Sequence, residues 1–229
     1  MEPSPAHPLF RPVAESAVLV EFGAKLNSAA HEAVLRLDQA VAAQPFAGFT
    51  ESVPAFVNLL VGFDPVVTDH RKVTEYLRNL LSVHGFMRPD PTLREVLVCY
   101  DADLASDLAT VAEKTGLTTE AVINAHLAGQ YEVAMYGFAP GYAYLAGVPE
   151  ALRLDRKPAP QRGVAAGSVI IAGGQCLVAT LVMPTGWWII GRSPTAILTG
   201  AQDRPFLFDV GDRVRFRRIS RAEFEGVRA

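Results

Sequence analysis

The 29 residues from 163 to 191 contain no charged side chain and no histidine, and this run restricts the possible folds more than any other feature of the sequence. A charge-free run of this length is long enough for a membrane-spanning helix. Glycine or proline interrupts it every few residues, however, which is typical of hairpin turns and unsuited to a helix in lipid. We therefore expect the run to form buried β-structure.

A second charge-free run covers the 17 residues from 133 to 149, VAMYGFAPGYAYLAGVP. It holds too many glycines and prolines for a core strand and too many apolar residues for a loop exposed to water. The pattern favours a shaped loop that lines a pocket, because tyrosines provide an apolar wall with a polar tip. A glycine-rich connection packed on the end of a barrel is the alternative. The residues expected to line the pocket are Tyr136, Gly137, Phe138, Pro140, Gly141 and Tyr142.

The composition excludes several classes of protein. Half of the 229 residues are hydrophobic, which excludes a disordered chain. A net charge of −3 argues against nucleic-acid binding, which needs a basic face. Cys99 and Cys176 lie in apolar, strand-like runs, so we expect buried thiols more than a nucleophile. The proline-rich start lacks the apolar segment of a signal peptide or anchor, and we therefore expect a cytoplasmic protein that does not enter a membrane.

The first half of the chain alternates strand and helix patterns. Strands are predicted over 16–22 and 56–63, and each is followed by a helix. The first helix is expected to begin at Asn27 or Ser28, and the second to be capped by Thr68 and to end at Gly85. The apolar positions of the two helices are Ala30, Val34, Leu37, Val41, Val73, Leu77 and Leu80. This order predicts a small α+β domain over residues 1–88 and a second domain over residues 89–229, with the proline-containing segment 87–92 at the boundary.

The second half changes from helices to short strands. A strand over 94–100 precedes one helix over 103–114 and another that begins at Thr118 or Thr119 and stops at Gly129. Short alternating segments follow, and they predict six strands over 130–138, 167–174, 175–182, 186–191, 205–210 and 212–219. Six short strands with little room for helices favour a closed barrel, because closure removes exposed sheet edges.

Common catalytic and metal-binding templates are absent, and the five histidines are scattered without metal-ligand spacing, so we expect no metal site. His126 lies near the carboxyl end of its predicted helix, where the helix dipole favours the charged imidazolium. It is therefore a candidate acid or base, although a structural histidine is the alternative.

Arg192 follows the long charge-free run and could hold a carboxylate or phosphate at the edge of an apolar pocket. An ordinary surface arginine is equally consistent with its position. Ser168 and Ser193 could donate to the same anion or could cap turns. Trp187 and Trp188 are expected to point to opposite faces of a strand, so that one lies in the core and the other can close a pocket.

Four segments of the second half occur in a recognisable order: GFAPGYAYL (137–145), GSV (167–169), IAGGQ (171–175) and GWWIIGRSP (186–194). In them the chain resembles the family that contains the B-type subunit of bacterial ATP-dependent 5-oxoprolinase (PxpB), the kinase inhibitor KipI and the protein labelled allophanate hydrolase subunit 1. That family has the signature GFxPGFxYL, PRxRVPAGSV, IAGxQ and GGWxxIGRTP. The likeness runs from about Leu93 to Ile219 and places His126 in register.

The resemblance implies an α+β amino-terminal domain followed by a mostly-β, cyclophilin-like barrel domain. It also implies a hydrolase subunit that is active only with a second subunit of the KipA, PxpC or allophanate hydrolase subunit 2 type, and with a LamB/YcsF-type subunit in oxoprolinase. The chemistry implied is activation of a small amide or lactam. This activation is coupled to ATP in oxoprolinase, or to carboxybiotin in the related carboxyltransferase domain of urea carboxylase.

The resemblance assigns roles to individual residues. His126 and Arg192 are the expected catalytic residues, and Arg162 is expected to help bind an anionic group. The other residues expected to contact substrate outside the 137–142 loop are Gly167, Ser168, Gln175, Trp187 and Ser193.

This chain also departs from the family pattern. Gln161 and Gly163 stand where the family has arginines, so either Arg162 substitutes from a shifted position or the ligand differs. Two other functions remain open. One is a KipI-like protein that binds and inhibits a kinase, and the other, based on fold analogy alone, is peptide binding or prolyl isomerisation.

Overall fold

The computed structural model describes residues 7–25, 27–82 and 90–228, which divide into two units between residues 90 and 91. The boundary predicted between residues 88 and 89 lies outside the described residues, as does the helix end predicted at Gly85. Each unit has its own hydrophobic core. Among the helices of these ranges, none is both long and apolar enough to cross a membrane.

The amino-terminal unit packs two helices against an antiparallel sheet. Its strands are β1 (Leu9–Val13), β2 (Ala17–Glu21), β3 (Phe49–Ala55) and β4 (Asn58–Phe63). Within the unit they are ordered β1-β2-β4-β3. The helices are α1 (Ser28–Ala43) and α2 (His70–Ser82). Their core positions include six of those predicted from helical spacing: Val34, Leu37, Val41, Val73, Leu77 and Leu80.

The two helices begin with side-chain caps. Asn27 caps α1 as predicted, because its Oδ1 accepts the backbone N–H of Ala30 at 2.8 Å. The cap predicted for α2 at Thr68 is wrong by one residue, since Oδ1 of Asp69 accepts the N–H of Lys72 at 2.9 Å. The sequence did not predict β1 or β3, because β1 lies in the proline-rich arm and β3 alternates weakly and contains a proline.

The carboxyl-terminal unit begins with β5 (Leu93–Val98), α3 (Leu108–Thr115) and α4 (Thr119–Ala128). The remaining strands and the last helix are β6 (Tyr131–Tyr136), β7 (Ala143–Ala146), β8 (Gln161–Val164), β9 (Ser168–Ala172), β10 (Gln175–Val178), β11 (Met183–Thr185), β12 (Trp188–Arg192), β13 (Arg213–Arg218) and α5 (Arg221–Arg228). A 3₁₀ helix spans Glu150–Leu152. Strands β8 and β11 form a separate two-stranded ribbon.

The other strands of this unit follow one pairing path, β5-β13-β6-β7-β10-β9-β12. All pairs are antiparallel except β5 with β13. The path returns to its start, because Cys99, the residue after β5, exchanges two backbone hydrogen bonds with Arg192 at the end of β12, of 2.8 and 2.9 Å. The likeness of this arrangement to cyclophilin stays a prediction.

Strand β9 explains the long charge-free run, since each of its five residues is buried. Val169 and Ile171 lie in the large core of this unit, whereas Ile170 and Ala172 lie in a second cluster on the opposite face of the strand. A strand covered on both faces has no position that can hold a charge. The prediction of buried β-structure is confirmed for β9, β10 and β12, but Leu181 and Val182, between β10 and β12, are 40% and 69% exposed.

Several predicted bounds in this unit are wrong. The helix expected from Asp103 begins only at Leu108, and the strand expected over 205–210 is reduced to a single bridge between Leu198 and Phe206. Strand β7 lies inside the charge-free run 133–149, where the sequence predicted a loop. Helix α5 was also missed, although Ser220 and Glu223 form a capping box at its start.

Candidate functional site

The residues from Gly137 to Tyr142 form a loop that leaves β6 and returns along β7. The N–H of Gly137 donates to the carbonyl of Tyr142 at 3.2 Å and closes the loop. Phe138 has a φ of +75°, which is strained for a bulky residue and is a feature of functional loops. The hydroxyl of Thr180 donates to the carbonyl of Pro140 at 2.6 Å, so the loop is held against the segment that follows β10.

One side of this loop opens onto a pocket of about 230 Å³, which we call the aromatic pocket. Tyr142 and Trp187 form its nearly buried walls, each with 6% of its surface exposed. Phe138 is 74% exposed and also lines the pocket. The lining residues are Phe138, Tyr142, Tyr144, Arg156, Ile170, Leu177, Pro184, Thr185, Gly186 and Trp187.

Aromatic contacts organise this pocket. The rings of Tyr144 and Trp187 meet edge to face with centroids 5.9 Å apart, and those of Phe138 and Tyr142 lie 5.7 Å apart. The guanidinium carbon of Arg156 lies 5.7 Å from the centroid of the Trp187 ring, within the range of a cation–π interaction. The pocket thus combines apolar walls, two phenol groups and one cation.

A second cavity of about 250 Å³, here called the serine cavity, is lined by Gly167, Ser193, Thr180, Leu198 and their neighbours. Gly167 is required there by geometry: its φ is +84°, and a Cβ atom would lie 2.4 Å from the carbonyl oxygen of Ser193. The hydroxyl of Ser193 accepts the N–H of Thr195 at 3.1 Å. This cavity is walled mainly by backbone and small side chains.

The predicted loop lies next to both cavities, and Gly141 is its point of contact with the serine cavity. A Cβ atom at Gly141 would lie 2.7 Å from Leu198 and 3.0 Å from Thr180, which both line the serine cavity. Phe138 and Tyr142, on the same loop, line the aromatic pocket. The 137–142 loop therefore separates two cavities.

The predicted anion-binding residues lie in different places. The side chain of Arg192 lies beside the serine cavity, where its Nε donates to the carbonyl of Ala166 at 3.3 Å. Arg162 is exposed on β8 and lines neither cavity. Ser168 is buried and donates to the carbonyl of Ala165 at 2.8 Å, and Gln175 begins β10 away from both cavities.

Tyr136 lies outside both cavities and connects β6 with the segment that contains Phe206 and Phe208. Its hydroxyl donates to the carbonyl of Phe208 at 2.8 Å, and its ring stacks on Phe206 with centroids 5.1 Å apart. Burial raises the pKa of Tyr136 above its ordinary value. This side chain fastens the segment that was wrongly predicted as a strand.

His126 lies in the large core of the carboxyl-terminal unit with none of its surface exposed. Its Nδ1 is 2.7 Å from the hydroxyl of Tyr100, and its Nε2 is 3.6 Å from Sγ of Cys176. Burial lowers the pKa of His126 to about 3, so the ring is neutral at physiological pH. The charged form predicted from the helix dipole is therefore wrong, because desolvation outweighs the dipole. His126 also lines neither cavity.

The prediction for the two tryptophans is confirmed. Trp188 lies in the large core, and Trp187, the residue before β12, lies in the second cluster and lines the aromatic pocket. Cys99 and Cys176 are buried free thiols, and burial raises the pKa of Cys176. Within the ranges that the structure describes, no group of three or more metal-ligating side chains comes together.

Sequence reasoning missed the segment from Asp155 to Lys157, which brings Arg156 to the pocket. The carbonyl of Asp155 accepts the indole N–H of Trp188 at 2.7 Å, and the ammonium of Lys157 donates to Asp107 at 2.7 Å. In the sequence this segment resembles any solvated charged turn, and only its contacts with the two tryptophans distinguish it.

The family model described as carboxyltransferase domain, subdomain C and D, matches residues 8–208. The B-type subunit of 5-oxoprolinase from Bacillus subtilis (strain 168) is 34% identical over 92% of this chain and 92% of its own. That of Escherichia coli O157:H7 is 32% identical over 89% of this chain and 93% of its own. These matches extend through both units, including the amino-terminal half in which the sequence motifs were absent.

Solved structures agree with these matches. The crystal structure of TTHA0988 aligns with a TM-score of 0.79 and 32% identity over 93% of this chain, and this chain spans only 40% of the TTHA0988 chain. The K. lactis urea amidolyase aligns with a TM-score of 0.74 over 95% of this chain and 15% of its own, at 17% identity, which indicates a shared fold. The chain belongs to the carboxyltransferase-domain family, subdomains C and D, that includes the B-type subunits of 5-oxoprolinase.

Proposed function

We propose that this chain is one subunit of a heteromeric, ATP-dependent hydrolase that opens a small amide or lactam, with 5-oxoproline as the first substrate to test. The observation that carries the proposal is the aromatic pocket beside the strained 137–142 loop, where a buried tryptophan, two tyrosines and an arginine converge. Relatives named as B-type subunits of 5-oxoprolinase, which match over most of their length, support the choice of substrate.

A second subunit is needed on chemical grounds. No carboxylate, imidazole or thiol is among the described residues that line either cavity. These residues can bind and orient an amide, but they supply no general base to activate water. We infer that the base comes from a partner of the KipA, PxpC or allophanate hydrolase subunit 2 type, with a LamB/YcsF-type protein as a further component.

The size of a related chain supports this partnership. This chain spans 40% of the TTHA0988 chain, so that relative carries additional segments in the same polypeptide. The proposed partner subunit would correspond to such segments. Arg192, at the edge of the serine cavity, would then bind an anionic group at the junction of the two proteins.

Neither cavity is suited to bind the nucleotide. The sequence has no glycine-rich phosphate loop, and cavities of about 230 and 250 Å³ are too small for ATP. We therefore assign ATP binding to another component of the complex. The two buried free thiols are consistent with a reducing, cytoplasmic location.

The test is reconstitution. The chain would be co-expressed with the product of a neighbouring KipA-like gene, and the purified complex assayed for ATP hydrolysis with 5-oxoproline, urea or allophanate. We expect turnover with 5-oxoproline by the complex and none by the isolated chain. Arg192→Ala should reduce turnover about tenfold or more. Arg218→Ala is the control, because Arg218 pairs with Glu120 on an exposed surface. A stable complex that hydrolyses none of the three substrates would contradict the proposal.

A KipI-like regulator is the second candidate function, and exposed apolar side chains near the 137–142 loop favour it. Phe138, Val182 and Leu198 are 74%, 69% and 37% exposed. Exposed apolar groups that lie close together are typical of docking surfaces. Binding of a histidine kinase by the isolated chain, with no turnover by the complex, would favour regulation over hydrolysis.

A further inference from the structure

Several arginines of the carboxyl-terminal unit pair with an acidic side chain, but within the described part of the chain Arg156 does not. Arg94 pairs with Asp212, and Arg221 pairs with Asp103. The guanidinium of Arg156, in contrast, makes no hydrogen bond or ion pair with any residue that the structure describes, and it lies instead against the ring of Trp187. Its N–H donors therefore remain available at the wall of the aromatic pocket.

The two phenol groups of the pocket are also without hydrogen-bond partners among the described residues. Tyr142 is nearly buried, and burial raises its pKa, so its hydroxyl stays protonated and can donate. Tyr144 lines the same pocket. Polar groups that face a pocket without a protein partner are suited to hydrogen bonds with a ligand.

The rest of the pocket limits the size and charge of that ligand. Ile170, Leu177 and Trp187 give it apolar walls, and about 230 Å³ suits a small molecule rather than a nucleotide. Arg156 is the one charged residue among its described lining residues. A bound carboxylate would therefore be attracted by Arg156 and repelled by no acidic side chain among these lining residues.

We propose that the aromatic pocket recognises a small cyclic amide that carries a carboxylate, with Arg156 binding the carboxylate and the hydroxyls of Tyr142 and Tyr144 binding the amide. The choice of 5-oxoproline as ligand rests on the proposed function. Arg156 is then a specificity-determining residue: it selects the anionic lactam over the same ring without its acid group.

The test measures the binding of two small ligands to the isolated chain. The readout is the NMR signal of the Trp187 indole N–H, which is assigned by its absence from the spectrum of Trp187→Phe. The two ligands are 5-oxoproline and 2-pyrrolidinone, the same lactam without the carboxylate. The variants are Arg156→Ala and Arg156→Lys. Arg78→Ala is the matched control, because Arg78 also lies over an aromatic ring, that of Phe10, in the amino-terminal unit.

We expect 5-oxoproline to shift the Trp187 signal and to bind at least tenfold more tightly than 2-pyrrolidinone. Arg156→Ala should abolish this preference, and Arg156→Lys should retain part of it, because an ammonium lacks the planar fork. Arg78→Ala should leave the preference unchanged. Equal affinity for both ligands, a preference that survives in Arg156→Ala, or no shift of Trp187 would each overturn the inference.

The experiments distinguish a failure of this pocket assignment from a failure of the proposed function. If the complex hydrolyses 5-oxoproline while the isolated chain fails the binding test, the function stands and the pocket assignment is wrong. If the pocket binds the carboxylate through Arg156 but the complex hydrolyses no amide, the assignment of the pocket stands and the proposed hydrolase function is wrong.

Discussion

The ammonium of Lys157 lies 2.7 Å from Oδ2 of Asp107, and the two side chains are only 11% and 16% exposed. The same carboxylate oxygen accepts the backbone N–H of Ile189 at 2.7 Å. Asp107 therefore ties the start of α3 to both β12 and the segment that carries Arg156. This pair joins three parts of the chain that lie far apart in sequence.

Asp107→Ala is expected to lower the free energy of unfolding by about 3 kcal/mol, because it leaves a largely buried ammonium without its anionic partner and the backbone N–H of Ile189 without an acceptor. Urea denaturation followed by circular dichroism measures the change. Asp103→Ala is the control, since Asp103 pairs with Arg221 on an exposed surface and its loss should lower the free energy of unfolding far less. Equal losses in the two variants would show that the Lys157 contact adds nothing.

His126 predicts a specific dependence of stability on pH. Its pKa is about 3 in the folded chain, below the ordinary value of 6.5, because burial disfavours the charged ring. The unfolded state therefore binds the extra proton first, and stability is lost as the pH falls from about 6.5 towards 3. The loss from this group approaches about 1.4 kcal/mol per pH unit inside that window.

The measurement compares wild type with His126→Gln by denaturation at several pH values between 7 and about 4.5, near the middle of that window. We expect His126→Gln to be less stable than wild type at neutral pH, and the difference between the two proteins should shrink as the pH falls. Parallel curves of stability against pH would mean that His126 has the same pKa in the folded and the unfolded chain.

Gly167 should be among the least replaceable residues of the motif segments. Gly167→Ala places a methyl group 2.4 Å from the carbonyl oxygen of Ser193 and adds the strain of a positive φ, so we expect a loss of about 3 kcal/mol. Gly173→Ala is the control, because Gly173 also has a positive φ but has open space around it. Its loss should stay near about 1 kcal/mol in the same thermal or urea unfolding assay.

Phe138 should matter for function more than for stability. Its side chain is 74% exposed, so Phe138→Ala should change the free energy of unfolding by less than about 0.5 kcal/mol. In the reconstituted complex the same change should raise KM for the amide, because Phe138 forms one wall of the aromatic pocket. Val66→Ala, at a 91% exposed position of the amino-terminal unit, should alter neither quantity. An unchanged KM in Phe138→Ala would remove Phe138 from the site.

The local pattern of the sequence was sufficient where burial follows from side-chain type. The charge-free run over 163–191 predicted buried strands, and β9, β10 and β12 lie there. Helical spacing predicted the core of α1 and α2 for the same reason. The 137–142 loop was also predicted, because glycine, proline and tyrosine without charge suit neither a core strand nor a solvated loop.

Tertiary structure decided what each polar group does. His126 has the sequence context of an acid or base, yet the core around it removes its charge. Arg156 has the context of a solvated turn, yet the contacts of Asp155 with Trp188 and of Lys157 with Asp107 bring it to the pocket. Apolar burial is encoded by the residue itself, whereas desolvation and pairing depend on neighbours distant in the chain. Only the folded structure brings those neighbours together.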